Sequence, residues 1–368
     1  MCIRDRVLIE AVAESGQYAP MMSSLGTLGF DILTEDPGVD RSTGWVAIAD
    51  LLDLNDLTAL RYARNMYPGV SNYTVPPTGL VNSQGDFAMH SDFARLGFGV
   101  DGNGVKIGVL SNSFDTKNQA AADVANGDLP GTGPTPETTN PNGYTTDVEV
   151  LQDVSSSFGT LSDEGRAMLQ IVHDIAPGAH LGFRTGFLGE QDMADGIREF
   201  AAAGYDVVLD DVSYLTEPFF VDGVIAQAID EVVAQGVVFF SSAGNFGSNS
   251  HTADFMPAAT GRPDITGELH DFGGGDWSQG VLLDTNNYTL VLQWDDGSDP
   301  GMTTTETDLD IFLTDNDGAS LLGFNRENVG GFPIEVVPFS VAGNPLNSEI
   351  IIARASGTRP VKFKYILF

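Results

Sequence analysis

Cysteine is nearly missing from this chain of 368 residues, and the single Cys2 excludes an internal disulfide framework and any thiolate metal cluster. Histidine is scarce too. The five imidazoles (His90, His173, His180, His251, His270) are scattered without ligand spacing, which argues against a zinc enzyme. Basic residues are outnumbered, 17 against 51 acidic ones, and the net charge of −34 repels nucleic acid and anionic lipid. Such an excess suits a chain dispersed in salty or extracellular water, and it equally describes an ordinary solvated surface. No run of eighteen apolar residues is available to enter a membrane, and the start MCIRDR lacks the apolar region of a signal peptide. Neither a repeat of 20 to 50 residues nor a low-complexity tract is visible.

What is present is a chain 42% hydrophobic, enough for packed cores. Residues 7–75 read as a small α+β unit. VLIEAVA is strand-like, the stretch from Tyr18 to Leu28 is helix-like, and GWVAIADLLDLNDLTALRYARNMYP reads as a strand followed by an amphipathic helix. A polar connector is expected from Pro76-Pro77 to Asp101. Apolar strands then follow at 105–110, 180–184, 206–209 and 237–240, spaced by helices DEGRAMLQIVHDIA, EQDMADGIREFAAAG and DGVIAQAIDEVVAQG. Strands without polar alternation, separated by helices, predict a parallel sheet covered on both faces. From about Ile265 the pattern changes to GVLL, YTLVLQW, LDIFL, ASLLGF, IEVVPF, EIIIARA and VKFKYILF, short strands with turns, which predicts a β sandwich.

Ligands of an open parallel sheet bind beyond the carboxyl ends of its strands. There the first strand runs into Ser111-Asn112-Ser113, the third into Asp210-Asp211, and the fourth into SSAGN with Asn245. Each alone reads as a turn or a helix cap. Together at one edge they outline a site. Glu164 heads a helix whose apolar stripe, by spacing, is Ala167, Met168, Ile171, Val172 and Ile175. A carboxylate on a core stripe is costly unless it is used, whereas at an exposed first turn Asp163 and Glu164 would only complement the helix dipole.

GVKIGVLSNSFD, DEGRAMLQIVHDIAPGA, DVVLDDVSY and GVVFFSSAGN, in this order, resemble the subtilisin-like core and its sedolisin-like relatives over about residues 80–258. The resemblance implies a serine-type peptidase, subtilase-like, that hydrolyses peptide bonds through an acyl-enzyme. It matches Asn245 to the amide that donates to the oxyanion of the tetrahedral intermediate. It also sets Glu164-Gly165 where subtilisins carry a histidine and a glycine, so Glu164 resembles the general base of the serine-carboxyl subgroup and an acidic optimum is implied. Relatives of that subgroup usually read SDSF in the first motif. This chain has Asn112 at the aspartate; an asparagine can hold Glu164 by a hydrogen bond but cannot share a proton as a second acid, so a complete triad requires Asp163, Asp210 or Asp211 to substitute, of which the strand face favours Asp211. His173 reads as structural.

A GTSxAxP nucleophile motif is absent, and Val361 to Phe368 stops in mid-strand; the expectation is a chain cut at both ends, missing the serine of its family. The expected fold class is thus α/β, a doubly wound parallel sheet with a small ferredoxin-like or prosegment-like α+β domain at 1–80, the incomplete peptidase core at 81–263, and an inserted jelly-roll-like β sandwich at 264–368. The expected partner is a protein or peptide substrate and the expected location extracellular. No cofactor is required. Calcium alone is suggested, by Asp308, Asp310, Asp315 and Asp317, although DNDG is also a hairpin turn and DLD an ordinary alternating strand. The competing reading is a secreted adhesion or binding protein that kept a peptidase-like fold without its chemistry, which Asn112 favours.

Overall fold

The computed structural model describes residues 2–3, 5–65, 79–132, 143–154, 161–297, 304–315, 321–324 and 326–368. The chain divides into two compact units, one of residues 1–104, 121–146 and 170–179, the other of 105–120, 147–169 and 180–368.

In the first unit, β1 (Cys2–Ile3), β2 (Arg6–Ala13), β3 (Asp31–Asp36), β4 (Arg41–Ala47) and β5 (Leu60–Asn65) form an antiparallel sheet in which β2 pairs with β1, β4 and β5, and β3 lies outside β4. The apolar face of α1 (Tyr18–Thr27) buries Met21 and Leu25 against Ile9, Ala11 and Val46. The amphipathic helix expected after β4 does not form. Short 3-10 turns at Ile48–Asp50 and Asp53–Asp56 stand in its place, and Leu60–Asn65 is a strand registered on Ile9 to Ala13. Asp50, Asp53 and Asp56 favour turns over a helix interior, and pairing with β2 outweighs the helical spacing of the leucines. The connector before Asp101 is also more ordered than its composition suggests, with α2 (Gln84–Ala88) capped by Ser83 and α3 (Ser91–Phe98) tied back by two Arg95–Asp86 bonds of 2.6 Å. A short α4 (Ala120–Asn126) follows.

The second unit holds a five-stranded, wholly parallel sheet in the order β10-β9-β6-β8-β7, made of β6 (Lys106–Ser111), β7 (Glu149–Gln152), β8 (His180–Thr185), β9 (Val207–Asp210) and β10 (Val238–Ser241). Strand β7 had no counterpart in the sequence reading. On one face α6 (Glu190–Ala202) and α7 (Val224–Ala234) bury Leu110, Val208, Met193, Ile197, Phe200, Ala228 and Val232 in one cluster. Gly108 allows this contact, because a Cβ there would stand 2.7 Å from the Phe200 ring. Buried Arg184 fastens α6 with three bonds to Asp192, two to its carboxylate and one to its carbonyl, and one of 2.7 Å to Glu199.

The other face meets the head of α5 (Glu164–Ile175), where Gly165 lies against Phe183; Val109 and Phe183 are fully buried there, but only part of the face is covered. In register across the sheet, Val238 pairs with Val207 and Phe240 with Leu209, so these four side chains share that face. Val238 is 48% exposed and Phe240 61%. That region of the face is open.

The antiparallel region begins earlier than Ile265, because β11 (Ser250–Asp254) pairs with β19 (Lys362–Leu367) along its length. One sheet runs β11-β19-β14-β17, with β14 (Asn286–Asp295) and β17 (Ile334–Val341); the other runs β12-β18-β15-β16, with β12 (Glu268–Leu269), β15 (Asp308–Thr314), β16 (Leu321–Phe324) and β18 (Leu346–Ser356), and β13 (Gln279–Leu283) pairs on β18. Leu290, Leu292, Trp294, Val337, Phe363 and Leu367 from the first sheet meet Leu309, Ile311, Leu313, Ile350 and Ile352 from the second in a single core. At roughly 1.5–3 kcal/mol for each fully buried large apolar side chain, this is ample stabilisation for a sandwich.

Candidate active site

Three neighbouring parallel strands set the site by register. Leu110 pairs with Asp210, and Ser241 with Asp210, so the next residues, Ser111, Asp211 and Ser242, form a row across β6, β9 and β10 at the carboxyl edge. Adjacent strands lie about 4.8 Å apart, which brings the row within reach of one small substrate group. By alternation these residues belong to the partly open face. At the β6 end of the row the Ser111 hydroxyl donates to Glu164 Oε2 at 3.4 Å, and at the β10 end the Ser242 hydroxyl donates to Asp211 Oδ1 at 2.6 Å. Ser111 is fully buried, while Asp211 and Ser242 are exposed.

Helix α5 is turned differently from the expected stripe. Ala167 and Ile171 are exposed and Met168 half-buried, whereas Gly165, Arg166, Leu169 and His173 are buried. Glycine explains the rotation. A Cβ on Gly165 would lie 2.2 Å from the Phe183 ring, so only this residue lets the helix start settle on β8. Arg166 is drawn inward as well, its Nη1 donating to Phe114 O at 2.6 Å and to Asp163 Oδ2 at 2.8 Å. Glu164 is consequently half-buried beside the strand row rather than on a core stripe.

Asp163 does not serve as the orienting acid. It is 2% exposed, in a left-handed conformation with φ 56°, and its carboxylate accepts from Ser113 Oγ, Thr116 Oγ1, the N–H groups of Thr116 and Lys117, and Arg166. Burial opposes its charge, but those donors prevail and hold its carboxyl down at about 2. Its work is to fasten the loop after β6 to the head of α5, which places Glu164. Asn112 acts on the same junction: its Oδ1 accepts the Glu164 N–H at 3.2 Å and its Nδ2 donates to Ser162 Oγ at 2.5 Å. The amide thus holds the backbone of Glu164 and not its carboxylate.

Asp210 points to the helix-covered side, where burial pushes its carboxyl up to about 6 against the bonds from the Val212 N–H and Ser241 Oγ. Asn245 is exposed in the loop after β10 and makes no hydrogen bond among the described residues, to Glu164 or to any other. His173 is fully buried with neither ring nitrogen bonded, and burial lowers it to about 4. Near the row's β10 end a groove of about 300 Å³ is lined by Ser213, Tyr214, Phe219, Ser242, Gly244 and Phe368, among others.

Sequence reasoning placed Ser111 and Ser242 among the polar strand ends but gave neither a role, and it overlooked Arg166. Their signal was available: a serine directly follows the apolar run of β6 and of β10, and Arg166 stands three residues after Asp163, the helical spacing of an ion pair. Of the suggested calcium set, Asp317 lies outside the described residues, and Asp315 acts on Arg262. No group of three histidine, cysteine or carboxylate side chains among the described residues encloses a metal ion by itself.

No family model matches the chain, and no curated protein does. Solved structures similar to it include proteolytic enzymes. They are the epidermin leader peptide processing serine protease from Staphylococcus aureus, 12% identical with a TM-score of 0.25, the CspB protease of Clostridium perfringens, 10% and 0.38, and fervidolysin from Fervidobacterium pennivorans, 13% and 0.21, a keratinolytic enzyme related to subtilisin. They cover 66%, 74% and 66% of this chain and 61%, 64% and 40% of their own, so the chain spans less than two thirds of each. At such identities and TM-scores the likeness says nothing of activity.

Proposed function

We propose that this chain is part of a serine-type endopeptidase, subtilisin- or sedolisin-like, in which Glu164 is the general base. One observation carries the reading: Ser111, Asp211 and Ser242 form a row at the carboxyl edge of a parallel sheet, and the Glu164 carboxylate on α5 accepts a 3.4 Å bond from the Ser111 end of it. In the proposed reaction Glu164 removes the proton of the nucleophilic hydroxyl, Asp211 supports the developing charge as the second acid, and Asn245 donates to the oxyanion. Asn112 positions Glu164 through its backbone. The nucleophile is not Ser111, which is fully buried. The proposal assigns it to a segment beyond Phe368, whose helix would close the open face over Val238 and Phe240, since parallel sheets are ordinarily covered on both sides. Residues 1–80 then serve as a ferredoxin-like prosegment or N-terminal module, the sandwich as an insertion, and the setting is extracellular.

The test is cleavage of a quenched peptide or casein from pH 3 to 9. The chain as given is expected to be inert, and a version restored with its downstream segment to cleave on the acid side, losing at least about 100-fold on Glu164→Ala or Asn245→Ala. Activity indifferent to Glu164→Ala would overturn the mechanism. An inert restored protein would favour the binding-protein reading, which the fully engaged Asn112 amide supports.

A further inference from the structure

Two imidazoles sit in the core at one edge of the sandwich, and the peptidase reading uses neither. His251 lies on β11, the outermost described strand of the first sheet, opposite Tyr365 in register, so it shares the inner face of that sheet with Tyr365 and Phe363. His270 directly follows β12 of the second sheet, where its N–H donates to Ile352 O at 2.8 Å and sets it beside that core residue. The two rings therefore approach from opposite sheets, and they meet the same two phenyls. Between ring centroids, Phe272 lies 5.5 Å from His251 and 4.7 Å from His270, and Phe363 lies 6.1 Å and 4.8 Å from them. Tyr365 stacks on His251 at 5.7 Å, and Phe255 is 5.6 Å from His270. His270 is 2% exposed, and its Nδ1 accepts the Met256 N–H at 3.1 Å, which leaves the single proton of the neutral ring on Nε2. Nε2 of His251 is buried with no partner.

Neutral, these rings pack as core residues; charged, they do not. A proton on Nδ1 of His270 takes the acceptor from the Met256 N–H and sets two N–H groups against each other. Protonating both rings places like charges against the same two phenyls in a dry core. The surroundings offer little counter-charge. Asp271 favours the imidazolium, but its carboxylate already accepts from the N–H groups of Gly273 and Gly275. Glu268, on the His270 side of its strand, is bound by Arg354, whose guanidinium lies over the Phe255 ring as a further cation, and Asp276 accepts from Ser278. From β19 only the Tyr365 hydroxyl faces inward, donating to Gln279 of β13; Lys362 and Lys364 alternate to the other side, as Asp254 does on β11. From β14 come the apolar Leu292 and Trp294. Burial lowers His270 from 6.5 to about 4, with the His251 charge adding to it and Asp271 opposing, and burial lowers His251 as well. An imidazole that folding keeps neutral contributes stability that is complete above about 6.5 and is lost as pH falls toward about 4.

We propose that His251 and His270, one from each sheet and sharing the Phe272 and Phe363 rings, form an acid-released clamp that holds the β11 edge of the sandwich shut at neutral pH and lets it open when both are protonated. Strand β11 directly follows the loop that carries Asn245, so opening the clamp frees the far end of that loop. The experiment is hydrogen exchange of the full chain at pH 7.5 and 4.5, corrected for the intrinsic pH dependence of exchange, comparing residues 250–272 with the central strand β14. Acid is expected to reduce protection of 250–272 about tenfold more than that of β14. His251→Phe combined with His270→Gln keeps a ring and an acceptor for the Met256 N–H but cannot be charged, and it is expected to abolish the difference. Imidazole C–H shifts followed by NMR on the parent need no variant, and two of the five rings are expected to titrate well below 6.5; the single His251→Phe and His270→Gln variants assign them. Acid protection lost no faster at 250–272 than in β14, the same selective loss in the double variant, or both rings titrating at their ordinary value would overturn the clamp.

Discussion

Asp163 in the α/β region and Asp310 in the sandwich are both aspartates hidden from water, 2% and 0% exposed, yet their surroundings are opposite. Asp163 collects donors from Ser113, Thr116, Lys117 and Arg166, and stays ionised down to about 2. Asp310 collects none, and burial pushes it up to about 7. Burial alone therefore does not tell what an acid is for. A carboxylate whose bonds are all met by its own chain is architecture, and one left unmet carries a burial cost that nothing in its surroundings offsets.

The sharpest way to break this comparison is to remove the charge at both places while keeping the shape. Asp163→Asn takes from buried Arg166 its 2.8 Å counter-charge, leaving the 3.2 Å pair with Asp115, and turns an acceptor oxygen into a donor facing other donors, so a loss of about 3 kcal/mol is expected. Urea denaturation followed by circular dichroism measures it. Asp310→Asn, measured at pH 7.5, is expected to cost nothing or to stabilise, because it deletes an unmet charge. Equal losses at the two sites would show that Asp310 has native partners and would erase the distinction.

Asp210 sharpens the comparison, being an intermediate case with two weak bonds, 3.2 Å from the Val212 N–H and 3.3 Å from Ser241 Oγ, and with Asp211 raising it further. Its carboxyl is raised from 3.8 to about 6 by burial. A raised acid prefers its proton in the folded state, so its contribution is complete below about pH 4 and is lost as pH rises through about 6, a swing of about 3 kcal/mol at 1.36 kcal/mol per unit. Asp210→Asn is expected to flatten that segment of the stability profile between pH 4 and 7. A profile unchanged by the substitution would mean that water reaches Asp210 and relieves its burial.

The parallel sheet was legible in the sequence because its strands are apolar runs that end in polar residues, and α5, α6 and α7 because their spacing is helical. What was hidden depends on partners distant in the chain. Leu60–Asn65 became a strand through pairing with β2, and β11 joined the sandwich through β19, neither of which leaves a local trace. The candidate site was legible as residue types at strand ends. Its alignment was not, since the row of Ser111, Asp211 and Ser242 follows from register, and the rotation of α5 follows from Gly165 meeting Phe183. Asn112 is instructive: the sequence resemblance marks it as a departure from the expected aspartate, and the structure gives it a backbone to hold.

Asp211 gives the smallest effect on stability and the cleanest separation of architecture from chemistry. It is exposed and accepts a single side-chain hydrogen bond, from Ser242 at 2.6 Å, so Asp211→Asn keeps a carbonyl oxygen for that hydroxyl and a solvated surface around it. Surface substitutions of this kind move stability by less than about 0.5 kcal/mol. Under the proposed chemistry the same change removes the second acid of the row, so the restored peptidase is expected to lose at least about tenfold in kcat with little change in KM, since the interaction matters as charge develops. Paired measurements, urea midpoints on the chain and peptide cleavage by the restored protein, separate the outcomes. A stability loss comparable to that of Asp163→Asn would make Asp211 part of the architecture. Unchanged kcat with unchanged stability would leave Glu164 without this partner and return the question of the second acid to Asp210, whose raised carboxyl lies one residue away on the opposite side of the same strand.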